Sequence, residues 1–224
     1  MENRTNAAYL QTLSRNRFLI LLVFILLTLV LTPFLDEFIQ TRILMDILLT
    51  FIYVALIFAI GSKRFQVIIA SILVLPLILS TWSIYIYDYT VIGILTRTFG
   101  VLFFGYAVVL MLKEISRSTE ITRETIFAAV VAYLLIAMMW AFLYMLLEGV
   151  IPGSFSVQDS DLRSEALRFE YFSFVTITTL GYGDIAPLTN KASALALLEA
   201  LVGQIYLVVL VAWLVGMYVS RRSK

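Results

Sequence analysis

The residues able to do chemistry concentrate in one short run, Thr176-Ile177-Thr178-Thr179-Leu180-Gly181-Tyr182-Gly183-Asp184. Hydroxyls lead it, two glycines one residue apart follow, and a carboxylate closes it. Two chemistries fit. Stripping the water from a cation takes a dense ring of oxygens without a full negative charge that would trap the ion, and backbone carbonyls supply one. An extended strand alternates its carbonyl directions, but glycine adopts dihedrals that other residues resist, so a glycine-punctuated strand can aim several carbonyls at one axis. Alternatively, Asp184 and a second carboxylate such as Asp88, which follows Tyr87, could share a proton and activate water. Imidazole and thiol chemistry is ruled out, because the 224 residues contain no His and no Cys.

The chain around the run is 62% hydrophobic and 14% charged, against about 25% charged in soluble domains. This excludes a soluble enzyme, a disordered chain and a nucleic-acid binder. A net charge of +1, from 16 Lys and Arg against 15 Asp and Glu, offers no basic face to a phosphate backbone. The chain reads as an all-α integral membrane protein. A helix crosses hydrocarbon with roughly 20 mostly apolar residues. Six stretches qualify: 18–35, 65–87 and 125–147 are uncharged, 43–60 holds Asp46, 89–112 holds Arg97 and 192–220 holds Glu199. Pro33 and Pro76 are expected to end or bend their helices.

Lys and Arg set the expected orientation, because positive connections stay cytoplasmic. Eleven bases fall in the N-terminal tail (Arg4, Arg15, Arg17), the second connection (Lys63, Arg64), the fourth (Lys113, Arg117, Arg123) and the C-terminal tail (Arg221, Arg222, Lys224). Both termini are therefore expected in the cytoplasm. The three remaining connections hold nine acids against four bases, a net −5 on the outer side. No small-residue cleavage pattern follows Leu31, so the first apolar run reads as a retained span. Trp82, Tyr85, Tyr87 and Tyr89 would form an outer aromatic belt, with Trp213 and Tyr218 nearer the inner one. The fifth connection, 148–191, is unusually long and contains a second apolar stretch, 166–180, too short and too polar to span. Such a segment enters and leaves on one side, where protein buries it or it lines an aqueous path.

Placed there, between two spans and after a short amphipathic helix, the run resembles the signature T-x-x-T-V-G-Y-G-D of the tetrameric potassium channel family. The resemblance covers residues 125–224 and implies a pore domain: an outer helix, a re-entrant pore helix, a filter loop and a pore-lining inner helix. It implies K+ as the permeant ion, held by the carbonyls of Thr179, Leu180, Gly181 and Tyr182, since rings of backbone carbonyls are this family's selectivity device. The Thr179 hydroxyl would complete the innermost site, and Tyr182 would turn away to brace the strand against the pore helix. Thr178, Gly183, Asp184, Tyr171 and Phe172 would support the filter, and the pore helix would aim its negative C-terminal end at the cation. Gly203, twenty residues beyond Gly183, matches the family's gating hinge, and close helix packing accounts for a glycine there equally. Gln204, Leu207, Val211 and Val215 share one stripe, placed on the cavity and gate or on a core face. Leu180 stands where the signature has Val. Tyr171 and Phe172 stand where many relatives carry a Trp pair, and Phe172 cannot donate a hydrogen bond.

One run supplies a quarter of a ring, and the chain has no second G-Y-G and no internal repeat, so a homotetramer is expected. Its outer charge of −20 would concentrate cations at the mouth. Residues 1–112 would form a four-helix membrane domain resembling a degenerate voltage sensor. From Arg97 the every-third-residue register runs Gly100, Phe103, Tyr106, Val109 and Leu112, so steep voltage gating is not expected. Arg97 and Asp46 lie at similar outer depth and are expected to pair. Residues 113–124 read as a linker helix on the inner surface or a solvated connection. Glu199 is an intramembrane carboxylate, expected either buried against the pore helix and protonated or hydrogen-bonded, or facing the cavity. The expected setting is multi-pass in the plasma membrane, with the lipid bilayer and further copies as partners, and no nucleic acid, soluble ligand domain or cofactor beyond K+. Three readings compete. Gly181-Tyr182-Gly183-Asp184 also fits the G-x-G-D of intramembrane aspartyl proteases, although Ala186-Pro187-Leu188 departs from their Pro-Ala-Leu. A transporter would show inverted repeats and broken helices, which the sequence lacks. A non-conducting accessory subunit is the third.

Overall fold

A long apolar run inside a membrane has no water to bond, so it closes its own backbone hydrogen bonds as a helix. The computed structural model describes residues 16–35, 39–61, 63–83, 90–118, 120–157 and 165–222, with side chains at 32–35, 39–46, 83, 90–92, 157, 214, 215 and 217–222 outside the description. Within these, the order is α1 (Arg17–Leu35), α2 (Ile39–Ile60), α3 (Arg64–Ser83), α4 (Thr90–Arg117), α5 (Arg123–Val150), β1 (Phe155–Val157), α6 (Glu165–Ile177), β2 (Ile185–Pro187) and α7 (Asn190–Arg222). Among the described residues four helices are long and apolar enough to cross a membrane: Arg64–Trp82, Gly93–Arg117, Arg123–Val150 and Asn190–Trp213. Arg17–Leu31 and Ile47–Ile60 are shorter apolar helices. Each of the six stretches expected to span overlaps one of these helices within the described residues, two of them only the shorter ones.

Pro33 and Pro76 lie inside α1 and α3, a placement membrane helices tolerate because neighbouring groups re-satisfy the freed carbonyl. Two details depart from the sequence reading. Residues 113–124 form no separate helix. α4 runs on to Arg117, and α5 restarts after Thr122, whose hydroxyl caps it by accepting from the Thr125 N–H at 3.2 Å. The chain is also not purely helical, since β1 and β2 pair antiparallel in the register Phe155↔Pro187, Ser156↔Ala186 and Val157↔Ile185. Strands this short carry no periodicity to read.

The packing centres on α5, which lies along α4, α6 and α1. Tyr53 of α2 meets Phe103 of α4 edge-on at 5.8 Å, and Phe104 stacks obliquely on Phe142 of α5 at 5.5 Å. Arg17 pairs with Glu114, joining α1 to the end of α4, and the Phe18 N–H donates to Glu124 of α5 at 3.4 Å. Gly100 makes room for the Phe142 ring, which occupies the space a Cβ would take. At Gly105 a Cβ would meet only the flexible Met139 sulfur, at 3.4 Å.

The two glycines therefore separate in effect. Gly100→Ala should lower stability by about 1–3 kcal/mol through overpacking, read as a fall in the thermal unfolding midpoint in detergent. Gly105→Ala should be neutral or stabilising, by up to about 1 kcal/mol from the gain in helix propensity.

Candidate functional site

α6 has 13 residues, which makes it about 20 Å long, too short for a hydrocarbon layer of roughly 30 Å. After it the backbone leaves regular structure at 178–184, enters β2 and turns into α7. Left-handed dihedrals recur at every second residue of this run: Thr179 at φ +59°, Gly181 at +59° and Gly183 at +80°. Alternation between left- and right-handed residues lets an extended segment present main-chain groups of one kind to one side. Glycine permits it at 181 and 183. Thr179 takes part as well, although a β-branched residue resists positive φ.

Its neighbours hold it there. The Thr179 N–H donates to Thr176 O at 2.9 Å, and the Leu180 and Gly181 N–H groups both donate to Val175 O, at 2.9 and 3.4 Å. The Thr178 hydroxyl donates to Phe174 O at 2.6 Å, and Tyr133 of α5 donates to Ile177 O at 2.9 Å. The carbonyls that the last turn of α6 would leave orphaned are thus all occupied. Below the run, Gln204 Nε2 of α7 donates to Thr179 Oγ1 at 3.5 Å. This brings together one residue read as filter and one read as cavity.

The residues named as supporting the run differ in what they touch. Tyr171 hydrogen-bonds Asp184. Phe172, which cannot bond this way, is buried in an aromatic cluster, 5.0 Å from Tyr144 and 5.4 Å from Phe155. Tyr182 does not brace against α6 within one chain, where it is 68% exposed, and Leu180 is 57% exposed. A Cβ on Gly203 would lie 2.6 Å from Ile177 O and 2.7 Å from its Cγ1, so close packing of α7 on α6 by itself demands the glycine. Leu207 and Val211 are exposed on α7, and the Val215 side chain lies outside the described residues. Arg97 pairs with Glu165 at the start of α6 and fills the space beside Gly149. The Asp46 side chain, expected as its partner, lies outside the described residues, as does Asp88 of the protease alternative.

Glu199 is buried against Tyr144 of α5 and Ser173 of α6. The sequence reading missed Tyr133, Tyr144, Ser173 and Glu165. The signal for the tyrosines was present, since a polar-tipped aromatic in mid-span must find a partner for its hydroxyl.

Residues 120–220 match the family model described as ion channel, a stretch that takes in α5, β1, α6, β2 and nearly all of α7. No curated protein and no solved structure matches the chain. The match supports an ion channel in this region of a helical membrane protein and gives no support to an enzyme.

The close contact at Gly203 can be measured against Gly216 on the same helix, where a Cβ would meet nothing within 4 Å. Gly203→Ala should cost about 1–3 kcal/mol, seen as a lowered unfolding midpoint, while Gly216→Ala should leave the midpoint unchanged or raise it.

Proposed function

We propose that the chain conducts K+ passively and selectively through a homotetrameric pore in the plasma membrane, with the carbonyls of Thr179, Leu180, Gly181 and Tyr182 as ion ligands. The observation that carries this reading is the left-handed alternation at Thr179, Gly181 and Gly183, placed after a helix too short to span and inside the stretch of ion-channel type. A filter of carbonyls replaces the ion's hydration shell, and one chain offers a quarter of it. The run is exposed in the single chain, as is the apolar face of α7 at Leu201, Ile205 and Val208, which leaves both free to meet three further copies. On this reading Thr179 and Gln204 form the inner end of the filter and the top of the cavity, Leu207, Val211 and Val215 line the way to the inner mouth, and α7 bends at Gly203. With one base on α4 at the every-third-residue register, opening is not steeply voltage-dependent.

Recording from the purified protein in planar bilayers under asymmetric K+ and Na+ tests the reading. The current should reverse close to the K+ equilibrium potential and be blocked by barium. A reversal near zero between the two ions, or tetramers that pass no current, would overturn it, the latter outcome being that of an accessory subunit. Gly181→Ala forces an L-residue into the left-handed region at about 1–2 kcal/mol, and K+ over Na+ selectivity should fall about tenfold or more.

A further inference from the structure

Glu199 is wholly buried where α7 passes behind α6, and it belongs to neither of the ion pairs found among the described residues, Arg17–Glu114 and Arg97–Glu165. Its carboxyl meets two hydroxyls. Tyr144 of α5 donates to Oε2, and the equally buried Ser173 of α6 lies in hydrogen-bond contact with Oε1. Ser173 Oγ also lies 2.7 Å from the carbonyl oxygen of Ala137 in α5. A serine hydroxyl carries one hydrogen. Shared between two acceptors, that one hydrogen would serve both contacts weakly, and the Ala137 carbonyl has none to give. The carboxyl is the group able to supply a second.

We propose that Glu199 is a neutral carboxylic acid whose O–H donates to Ser173, freeing the Ser173 O–H for the Ala137 carbonyl while Tyr144 donates to the other carboxyl oxygen. Every polar atom of the cluster then has a partner of the right kind. Among the described residues no cation lies beside it, and an ionised carboxylate buried without one is strongly disfavoured. The titratable groups around it are the two α5 tyrosines, Tyr144 and Tyr133. The resulting relay, Glu199 to Ser173 to Ala137, fastens the inner helix, the pore helix and the outer helix at one point. Gly203 presses on Ile177 one turn further along α7, and residues 178–183 follow directly. Glu199 is therefore a positioning residue for the run, acting through its proton.

Infrared difference spectra of the purified full-length protein at neutral pH, wild type against Glu199→Gln, read this without any current being measured. A protonated-carboxyl C=O band should be present in the wild type and lost in Glu199→Gln, and Ser173→Ala should shift it to higher frequency because the acid loses its acceptor. Glutamine can donate to Ser173 and accept from Tyr144, so Glu199→Gln should keep the wild-type unfolding midpoint, whereas Glu199→Ala and the shorter Glu199→Asp should lower it. Absence of the band in wild type, or a loss of stability in Glu199→Gln equal to that in Glu199→Ala, would overturn the proposal. Should Glu199→Gln fail to fold while Glu199→Asp folds, the Ser173→Ala spectrum decides, and a band that does not move sinks it.

Discussion

Irregular backbone at membrane depth survives where protein satisfies its polar groups, because each unpaired N–H or C=O in hydrocarbon is worth several kcal/mol. On the proposed reading that constraint falls on residues 177–183, and the surrounding architecture answers it for the N–H groups of 179–181 and for the carbonyls at the end of α6. The loop N–H groups fold back on Val175 O and Thr176 O, the Thr178 hydroxyl takes Phe174 O, and Tyr133 reaches from α5 to Ile177 O. The donors and acceptors sit on different elements, so meeting them fixes where α5, α6 and α7 lie relative to one another. The positive φ of Thr179 belongs to the same solution. Strain of about 1–3 kcal/mol at such a residue persists when its surroundings over-determine it, and here they do.

The same accounting shows which side of the molecule is complete. α7 is tied to α5 by the Tyr206 hydroxyl, which donates to Ala129 O at 2.6 Å, and by the Tyr133 and Tyr206 rings at 5.6 Å. Its other side is apolar and exposed, at Leu201, Ile205 and Val208. In lipid an apolar face carries little penalty, because acyl chains are as apolar as leucine. The exposed main chain at 178–183 is different, since lipid can offer it nothing. On the proposed reading the drive to assemble thus comes from the backbone of the run, which needs the axis and its ions, and the apolar face of α7 sets the fit.

What the sequence made legible was local in kind. Apolar runs marked the helices, and the nine-residue run with its two glycines marked the site, because each signal is complete within a few neighbouring residues. What stayed hidden depends on rotation about a helix axis or on pairing across distance. Equal depth suggested Asp46 for Arg97, a pairing that lies outside the described residues, and depth alone gave no sign of Glu165, with which Arg97 pairs and which counted in the sequence only toward outer charge. β1 and β2 join residues thirty apart through three-residue strands, below any period. Gly203 was legible as a needed glycine but not as the seat of Ile177, and Glu199 as a buried acid but not as a partner of Tyr144 and Ser173. Thr179 is the sharpest case, since its own residue type argues against the conformation that α6 imposes.

The pairing of Arg97 also bears on what the first four helices do. Carrying one charge across the whole membrane field is worth about 2.3 kcal/mol per 100 mV, and Arg97 lies near one end of α4, so it could cross only part of that field. Against it stands the Glu165 pair. Breaking a fully buried pair costs about 3–5 kcal/mol, and this one, partly exposed at both ends, is worth less after screening. Movement would also draw the guanidinium from its seat beside Gly149 and shear Phe104 against Phe142. On the proposed reading, the aromatic packing and the pair both oppose the displacement that the field would drive. Arg97 therefore serves as a fastener between α4 and the start of α6, the helix that leads into the run.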